Sequence, residues 1–239
     1  MTTTILRGRL LQWRGDPFET GDAALAFHED GAVAFAGGVI AGAGTADTVL
    51  GAHPGATLHH RPTSLIVPGF VDAHVHYPQT GIIASWGRQL IDWLHRYTFP
   101  EEMRFADPAY AERMARLFFA EQLRHGITTC ASFCTVHTAS VEAFFAEAAR
   151  LGLRALGGKV MMDRHAPPGL LDTAPSAHDD SAALIAKWHG RERLCYAISP
   201  RFAPTSSPEQ LEACWALRAA NRDCIVQTHL SEQTAEIEW

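Results

Sequence analysis

The stretch Pro68-Gly69-Phe70-Val71-Asp72-Ala73-His74-Val75-His76 decides which fold and which chemistry this chain is expected to have. It is a short apolar run that ends in two histidines at alternate positions. Because residues i and i+2 of a strand face the same side, His74 and His76 can bind one metal ion. The stretch therefore predicts a metal-activated hydrolase, whereas a surface or capping pair of histidines is the simpler alternative.

From Leu65 onward, strand-like and helix-like segments alternate. The strand candidates are Leu65–Val71, Ile127–Phe133, Leu153–Met162, Arg193–Ile198 and Cys224–His229. Repeated β-α units imply an α/β fold with parallel strands and right-handed crossovers. Five strands can complete an open doubly wound sheet, whereas they form only part of an eight-stranded barrel. Both architectures are compatible with this pattern at this point.

Capping residues mark the predicted helix starts. Asp107 is placed to cap a helix that begins at Pro108, and Ser207 with Gln210 reads as a capping box. A further helix is predicted to begin at Ser231. The residues that the first of these helices is expected to bury are Tyr110, Met114, Leu117 and Phe118.

Residues 1–64 are predicted to form a small β-domain, sandwich-like and incomplete, and residues 65–239 a second domain. The short strands of the β-domain are expected at Thr3–Leu6, Ala32–Phe35 and Gly38–Ile40. Glycine-containing segments mark the expected turns, among them Asp30-Gly31 and Gly42–Gly44. Because three or four short strands make only a thin sheet, we expect further strands to join it.

Composition excludes several classes of function. The net charge of −6 and the pI near 6.1 argue against binding to nucleic acid or to an anionic membrane. Five cysteines without a CxxC pair predict buried, reduced thiols rather than disulfides. The sequence contains no secretory signal and no apolar segment long enough to span a bilayer, so we expect a cytoplasmic location.

A second candidate strand also ends in a histidine, His229, in the segment Gln227-Thr228-His229-Leu230-Ser231-Glu232. A third imidazole from a different strand end can complete one face of a metal site. Glu232 follows closely enough to reach a substrate without binding the metal. The alternative is that Glu232 only favours the start of a helix.

Three polar or aromatic residues are candidates for substrate binding. Arg201 lies between Pro200 and Pro204, which stiffen its loop, and its guanidinium suits a carbonyl group or an anionic ring. Phe202 offers a face to a planar heterocycle, and the Gln79 amide can both donate to and accept from a purine edge. The alternatives are a surface arginine, a core phenylalanine and a solvated glutamine.

An aromatic insertion separates the first strand of the second domain from its helix. Its large side chains are Trp86, Leu90, Trp93, Leu94, Tyr97 and Phe99. They are expected either to pack in the core or to form an apolar lid that excludes water from the site. We include Trp93 and Leu94 among the predicted substrate-binding residues.

Together these segments resemble the amidohydrolase superfamily and, within it, the guanine deaminase family. The resemblance rests on PGFVDAHVHYPQT, SWGRQLIDWLHRYTFPEE, SPRFAPTS and QTHLSE, which occur in family order from Leu65 to the end of the sequence. It implies a (β/α)8 TIM-type barrel over residues 65–239, of which about the first five strands are present. It further implies hydrolytic deamination of guanine to xanthine and ammonia, and a homodimer.

The resemblance also implies a role for each candidate residue. His74, His76 and His229 correspond to zinc ligands, with iron as the alternative metal. Gln79, Arg201 and Phe202 correspond to guanine-binding residues, and Glu232 to the acid that shuttles protons.

The family pattern also includes a histidine on the sixth barrel strand and a metal-binding aspartate after the eighth, and neither has a counterpart in this sequence. We therefore expect a fragment or a truncated product whose 239 residues alone are inactive. The alternatives are another deaminase or cyclic-amide hydrolase of the superfamily, a non-catalytic remnant, and a nucleotide-binding domain. The H-x-E and P-C-x-x-C pattern of cytidine deaminases is absent.

Overall fold

The computed structural model describes residues 2–238, and the chain divides into two compact units between Gly69 and Phe70. The division predicted after residue 64 falls inside a strand, Thr57–Ile66. Each unit has its own sheet.

The first unit is built on one four-stranded sheet. Its strands are β1 (Thr4–Trp13), β2 (Leu25–Ala36), β3 (Val39–Thr45) and β4 (Thr57–Ile66), and its helices are α1 (Pro17–Thr20) and α2 (Ala46–Ala52). The strand order is β3-β2-β1-β4, with β1 antiparallel to β2 and parallel to β4. The described residues of this unit form a single sheet, so the sandwich-like arrangement stays a prediction.

The turns predicted at Asp30-Gly31 and Gly42–Gly44 are wrong, because these residues lie within β2 and β3. Gly31 serves close packing instead: a Cβ atom there would lie 2.4 Å from Cβ of Leu10. The pairing of β1 with β2 shifts its register beside this point, between Gly8 and Leu10.

The second unit is an α/β structure with a parallel sheet, as predicted. Its strands are β5 (Phe70–His76), β6 (Ile127–Phe133), β7 (Arg154–Gly158), β8 (Val160–Met161), β9 (Leu194–Pro200) and β10 (Ile225–Val226). Its helices are α3 (Leu90–Trp93), α4 (Phe99–Met103), α5 (Pro108–Arg124), α6 (Thr138–Leu151), α7 (Ala174–Trp188), α8 (Pro208–Ala220) and α9 (Thr234–Glu238). The order is β10-β9-β7-β6-β5, with β8 beside β9 and every pair parallel.

The predicted strand Leu65–Val71 is wrong. The chain leaves β4 after Ile66 and enters β5 at Phe70, because Pro68 cannot donate a backbone hydrogen bond and Gly69 does not favour a strand. The predicted strand Leu153–Met162 is likewise two strands, separated at Lys159.

The predicted strand Cys224–His229 is paired as a strand only at Ile225–Val226. The chain then continues beside β9 through two further backbone hydrogen bonds. Gln227 N donates to Ile198 O at 3.0 Å and His229 N donates to Arg201 O at 3.0 Å.

The capping residues are mostly confirmed. Asp107 accepts from Ala109 N at 3.0 Å, and the Ser207 hydroxyl accepts from Gln210 N at 3.1 Å. The reciprocal half of the capping box is wrong, because the Gln210 side chain donates instead to Asp172. Burial of Leu117 is also wrong: it is 44% exposed, while the buried face of α5 runs through its other predicted members and Phe119.

The last predicted helix begins at Thr234 rather than at Ser231. Ser231 has a positive φ of 54°, which a right-handed helix does not contain. The segment from Ser231 to Gln233 therefore forms a loop in front of α9.

The core of the second unit lies between the sheet and α5, α6 and α7. Its large members include Tyr77, Phe118, Phe144, Leu184 and Tyr196. All five cysteines are unpaired in the structure, and four of them are buried, as predicted. Their reduced state stays a prediction. Among the described residues, no helix is long and apolar enough to cross a membrane.

Candidate active site

Three histidines meet at the carboxyl ends of the strands. His74 and His76 lie at the end of β5, and His229 follows β10. Nε2 of His76 is 2.9 Å from Nε2 of His229, and one nitrogen of each of the three rings lies within 4.8 Å of the others. The structure thus brings together imidazoles that are 153 positions apart in the sequence.

Hydrogen bonding fixes which nitrogen of His229 faces the cluster. Its Nδ1 lies 2.8 Å from the carbonyl oxygen of Arg201, so in the neutral ring Nδ1 carries the hydrogen and Nε2 carries the lone pair. The facing Nε2 of His76 must then donate to this lone pair or share a cation with it. Nδ1 of His76 is buried without a hydrogen-bond partner among the described residues.

Burial keeps two of these rings neutral. It lowers the pKa of His229 to about 4, and it lowers the pKa of His76 well below its usual value, with a smaller contribution from the nearby Arg201 guanidinium. Neutral imidazole is the form that binds a metal ion, so the electrostatics of the cluster suit a cation.

An aromatic wall that the sequence analysis missed supports the cluster. Phe133, the last residue of β6, is fully buried and stacks on His76 with ring centroids 4.7 Å apart and planes 10° apart. Its centroid lies 4.4 Å from that of His229. The available signal was its position at the end of a neighbouring parallel strand.

A cavity of about 310 Å³ opens beside the histidines. Its lining residues are His74, Val75, His76, Gln79, Leu90, Trp93, Leu94, Arg201, Phe202, His229 and Glu232. All nine predicted site residues are therefore brought together, and Val75 and Leu90 join them. Six of these eleven side chains are polar or ionisable and five are apolar. Polar groups that converge beside apolar walls are typical of a small-molecule site.

Arg201 is held in the cavity wall by a buried ion pair that the sequence analysis did not assign. Its Nη1 lies 3.0 and 2.8 Å from the two carboxylate oxygens of Glu102, and the exposed fractions of the two side chains are 3% and 0%. Glu102 belongs to α4, inside the aromatic insertion. Because a buried charge needs a partner, this pair fixes the direction of the guanidinium.

The aromatic insertion both packs in the core and covers the cavity. Leu94 and Phe99 are buried in a cluster with Phe133 and Phe202, and partly buried Trp93 packs against them. Between α3 and α4, Leu94–Thr98 form a π-helical turn, a distortion that often occurs at functional sites. Trp86, by contrast, is 71% exposed.

Gln79 and Glu232 line the cavity from two different segments of the chain. Gln79 lies in the 3-10 helix Tyr77–Ile82, directly after β5. Glu232 is exposed in the loop before α9, and its backbone N donates to Oε2 of Glu236 at 2.6 Å. The site therefore offers an amide, a guanidinium and a carboxylate around one cavity.

Residues 65–239 match the amidohydrolase family, and this chain belongs to that family. Among curated relatives, a guanine deaminase of Escherichia coli is 51% identical over 175 residues, which are 73% of this chain and 40% of that protein. A probable guanine deaminase of Deinococcus radiodurans is 41% identical and covers 98% of this chain and 54% of its own length. The chain spans about half the length of these relatives.

The chain is also similar to solved structures of guanine deaminases. The guanine deaminase of E. coli superimposes with a TM-score of 0.93 at 42% identity, over 99% of this chain and 55% of that one. A guanine deaminase of C. acetobutylicum with guanine bound in its active site gives a TM-score of 0.85 at 27% identity, over 98% and 54% of the two chains.

Proposed function

We propose that this chain supplies the purine-binding face and three metal ligands of a zinc-dependent (β/α)8-barrel enzyme that hydrolyses guanine to xanthine and ammonia. The observation that carries the proposal is the convergence of three imidazoles with an amide, a guanidinium and a phenylalanine ring on one cavity. The similarity to guanine deaminases, one of them with bound guanine, supports this choice within the family.

The donor set fits a zinc ion. His74, His76 and His229 present three nitrogens to one point, and the Arg201 carbonyl accepts from Nδ1 of His229 and so orients its ring. A bound zinc ion supplies Lewis acidity, which lowers the pKa of water to about 7. Zinc rather than iron, a homodimer and a cytoplasmic location stay predictions.

The remaining residues account for recognition of the purine. The Arg201 guanidinium binds the O6 side of guanine, and the Gln79 amide binds the opposite ring edge. Phe202 and Trp93 cover the ring faces and exclude water.

Glu232 moves the protons. When water adds to C2, the Glu232 carboxyl group donates a proton to N3, and the resulting carboxylate takes up the proton that the water loses. It then passes that proton to the departing amino group and recovers one from the hydroxyl group on C2. The C2–N bond breaks, ammonia leaves, and C2 keeps the oxygen as the new carbonyl of xanthine.

The test uses the protein expressed from its complete gene and supplied with zinc. Ammonia release is compared for guanine, adenine and cytosine, and xanthine formation is followed by absorbance. We expect turnover of guanine only. Preference for adenine or cytosine would assign the site to another deaminase of the family.

The same assay tests the role of Glu232. Glu232→Gln should lower kcat by about 10²- to 10⁴-fold at unchanged zinc content, because the amide cannot transfer protons. Glu209→Gln, at an exposed position on α8, is the control and should leave kcat unchanged. Full activity of Glu232→Gln would contradict the mechanism.

A further inference from the structure

A second carboxylate lies directly behind the proposed proton shuttle. Glu236 of α9 is only 7% exposed, and it follows Glu232 by four residues. Its Oε1 accepts from Ser231 N at 3.1 Å, and its Oε2 accepts from Glu232 N at 2.6 Å. Both oxygens of one buried carboxylate thus bind consecutive backbone N–H groups of the loop that carries Glu232.

The backbone of that loop needs such support. Ser231 has a φ of 54°, in the left-handed region that residues other than glycine rarely adopt. A left-handed residue lets neighbouring N–H groups point to the same side, which creates a small anion-binding concavity. The Glu236 carboxylate lies in this concavity and stabilises a conformation that serine does not favour by itself.

The loop is also tied to the insertion that covers the cavity. Oε1 of Gln233 accepts from Leu90 N, at the start of α3, at 3.2 Å. Trp93 and Leu90 of α3 line the cavity together with Glu232. The loop is therefore held on one side of Glu232 by Glu236 and on the other by the cover of the cavity.

We propose that Glu236 is a positioning residue, which acts on the reaction by fixing the backbone from which the Glu232 side chain enters the cavity. The proposal rests on the proposed function in that it takes Glu232 as the proton shuttle. Glu236 itself contacts neither substrate nor metal in this scheme, because both of its oxygens are bound to the loop.

The first test measures the loop itself and needs no activity. Hydrogen exchange at the amides of Ser231 and Glu232 is compared in the protein from the complete gene and in Glu236→Ala. Glu236→Ala removes the charged acceptor of both hydrogen bonds. Exchange at these two amides should therefore be roughly ten- to a hundredfold faster in the variant. Glu238→Gln, at an exposed position on the same helix, is the matched control and should leave exchange unchanged.

The second test separates positioning from a general loss of structure. Glu236→Ala should lower kcat about ten- to a hundredfold while KM for guanine, zinc content and the thermal midpoint stay within the range of the control. Glu236→Gln keeps one neutral acceptor oxygen and should lie between the wild type and Glu236→Ala. A change in KM or zinc content without a change in kcat would overturn the proposal.

A rescue variant tests the backbone argument. Adding Ser231→Gly to Glu236→Ala should restore part of kcat, because glycine adopts the left-handed conformation without strain. A double variant no faster than Glu236→Ala, or unchanged amide exchange in Glu236→Ala, would overturn the proposal. If the wild type releases no ammonia from guanine, the proposed function fails, whereas the exchange experiment still decides whether Glu236 holds the loop.

Discussion

Two clusters in the described part of the chain offer three metal-binding side chains each, and only one of them resembles a metal site. His74, His76 and His229 meet at the carboxyl ends of the strands. His189, Asp223 and Cys224 meet near the opposite ends of β9 and β10. Both sets have ligand atoms within 4.8 Å of one another, so distance alone does not distinguish them.

The difference lies in which lone pairs are already engaged. In the second cluster, Nδ1 of His189 accepts from Tyr196 N at 3.0 Å, and Nε2 lies 3.0 Å from the Asp223 carboxylate. Burial raises the pKa of the Cys224 thiol to about 11, which disfavours the thiolate that a metal requires. In the first cluster, the bond from His229 Nδ1 to a carbonyl directs Nε2 toward the other rings. The first cluster is therefore the candidate site, because its facing nitrogens are directed toward one another and are not bound to other groups.

The largest expected effect separates the two clusters by their metal. His229→Gln should lower zinc affinity by more than about a hundredfold, since removing even a group that only hydrogen-bonds to a ligand costs about 10- to 100-fold. The His189→Gln variant should retain the zinc that is bound at the first cluster. Zinc content after dialysis against a weak chelator measures both, and equal loss from the two variants would place the metal elsewhere.

A smaller effect is expected when the wall of the first cluster is changed and its metal is kept. Arg201→Lys should lower kcat/KM for guanine about a hundredfold, because an ammonium cannot reproduce the fixed guanidinium geometry. Glu102→Gln should lower it about tenfold by weakening the ion pair that directs Arg201. Arg164→Lys, an exposed arginine bonded to Ala203 O, is the control.

Zinc content should be unchanged in all three of these variants. Loss of zinc from Arg201→Lys would show that the side chain, and not only the backbone of that residue, supports the metal ligands.

The pH dependence of the free energy of unfolding is a further expected effect, and it is confined to the metal-free protein. The pKa of His229 is about 4 in the folded chain, below its unfolded value of about 6.5, because of burial. The unfolded state therefore binds more protons between these values, so the free energy of unfolding should fall as the pH falls from about 6.5 toward 4.

Urea unfolding of the metal-free protein at pH 7.5, 6 and 5 measures this fall. His229→Gln should show a shallower slope than the wild type, whereas equal slopes would mean that the ring is solvated. His76, whose pKa is also lowered by burial, should contribute in the same direction.

The smallest expected effect tests the second cluster directly. Cys224→Ser should change kcat and zinc content by less than about twofold, because the thiol ligates nothing in this scheme. With its pKa raised from 9.0 to about 11, the wild-type thiol should react with iodoacetamide about a hundredfold more slowly than an ordinary cysteine. Rapid alkylation would indicate a thiolate and reopen the question of a second site.

Local patterns predicted the elements well where one segment decides its own structure. Ile127–Phe133 is a strand with the predicted bounds, and Asp107 caps the helix that begins at Pro108. The predicted strand Leu65–Val71 is wrong because hydrophobic patterning does not reveal where a chain changes its pairing partner. Here β4 pairs with β1, whereas β5 pairs with β6.

The candidate site was predictable only as far as short motifs extend. Its nine predicted residues converge because parallel strands end at the same edge of a sheet, which topology alone implies. Glu102 and Phe133 were missed because their partners lie 99 and 57 positions away, so no short-range signal connects them. Glu236 was missed because a side chain that binds backbone atoms leaves no trace in residue types.

Arg201 contributes both to the histidine cluster and to the cavity, through different parts of the same residue. Its carbonyl oxygen orients His229, while its guanidinium faces the cavity and pairs with Glu102. Every amino acid supplies a carbonyl, so mutation at position 201 can alter which molecule is recognised without disturbing how the imidazole is aimed. Such a division allows a lineage to explore new substrates on an inherited catalytic centre.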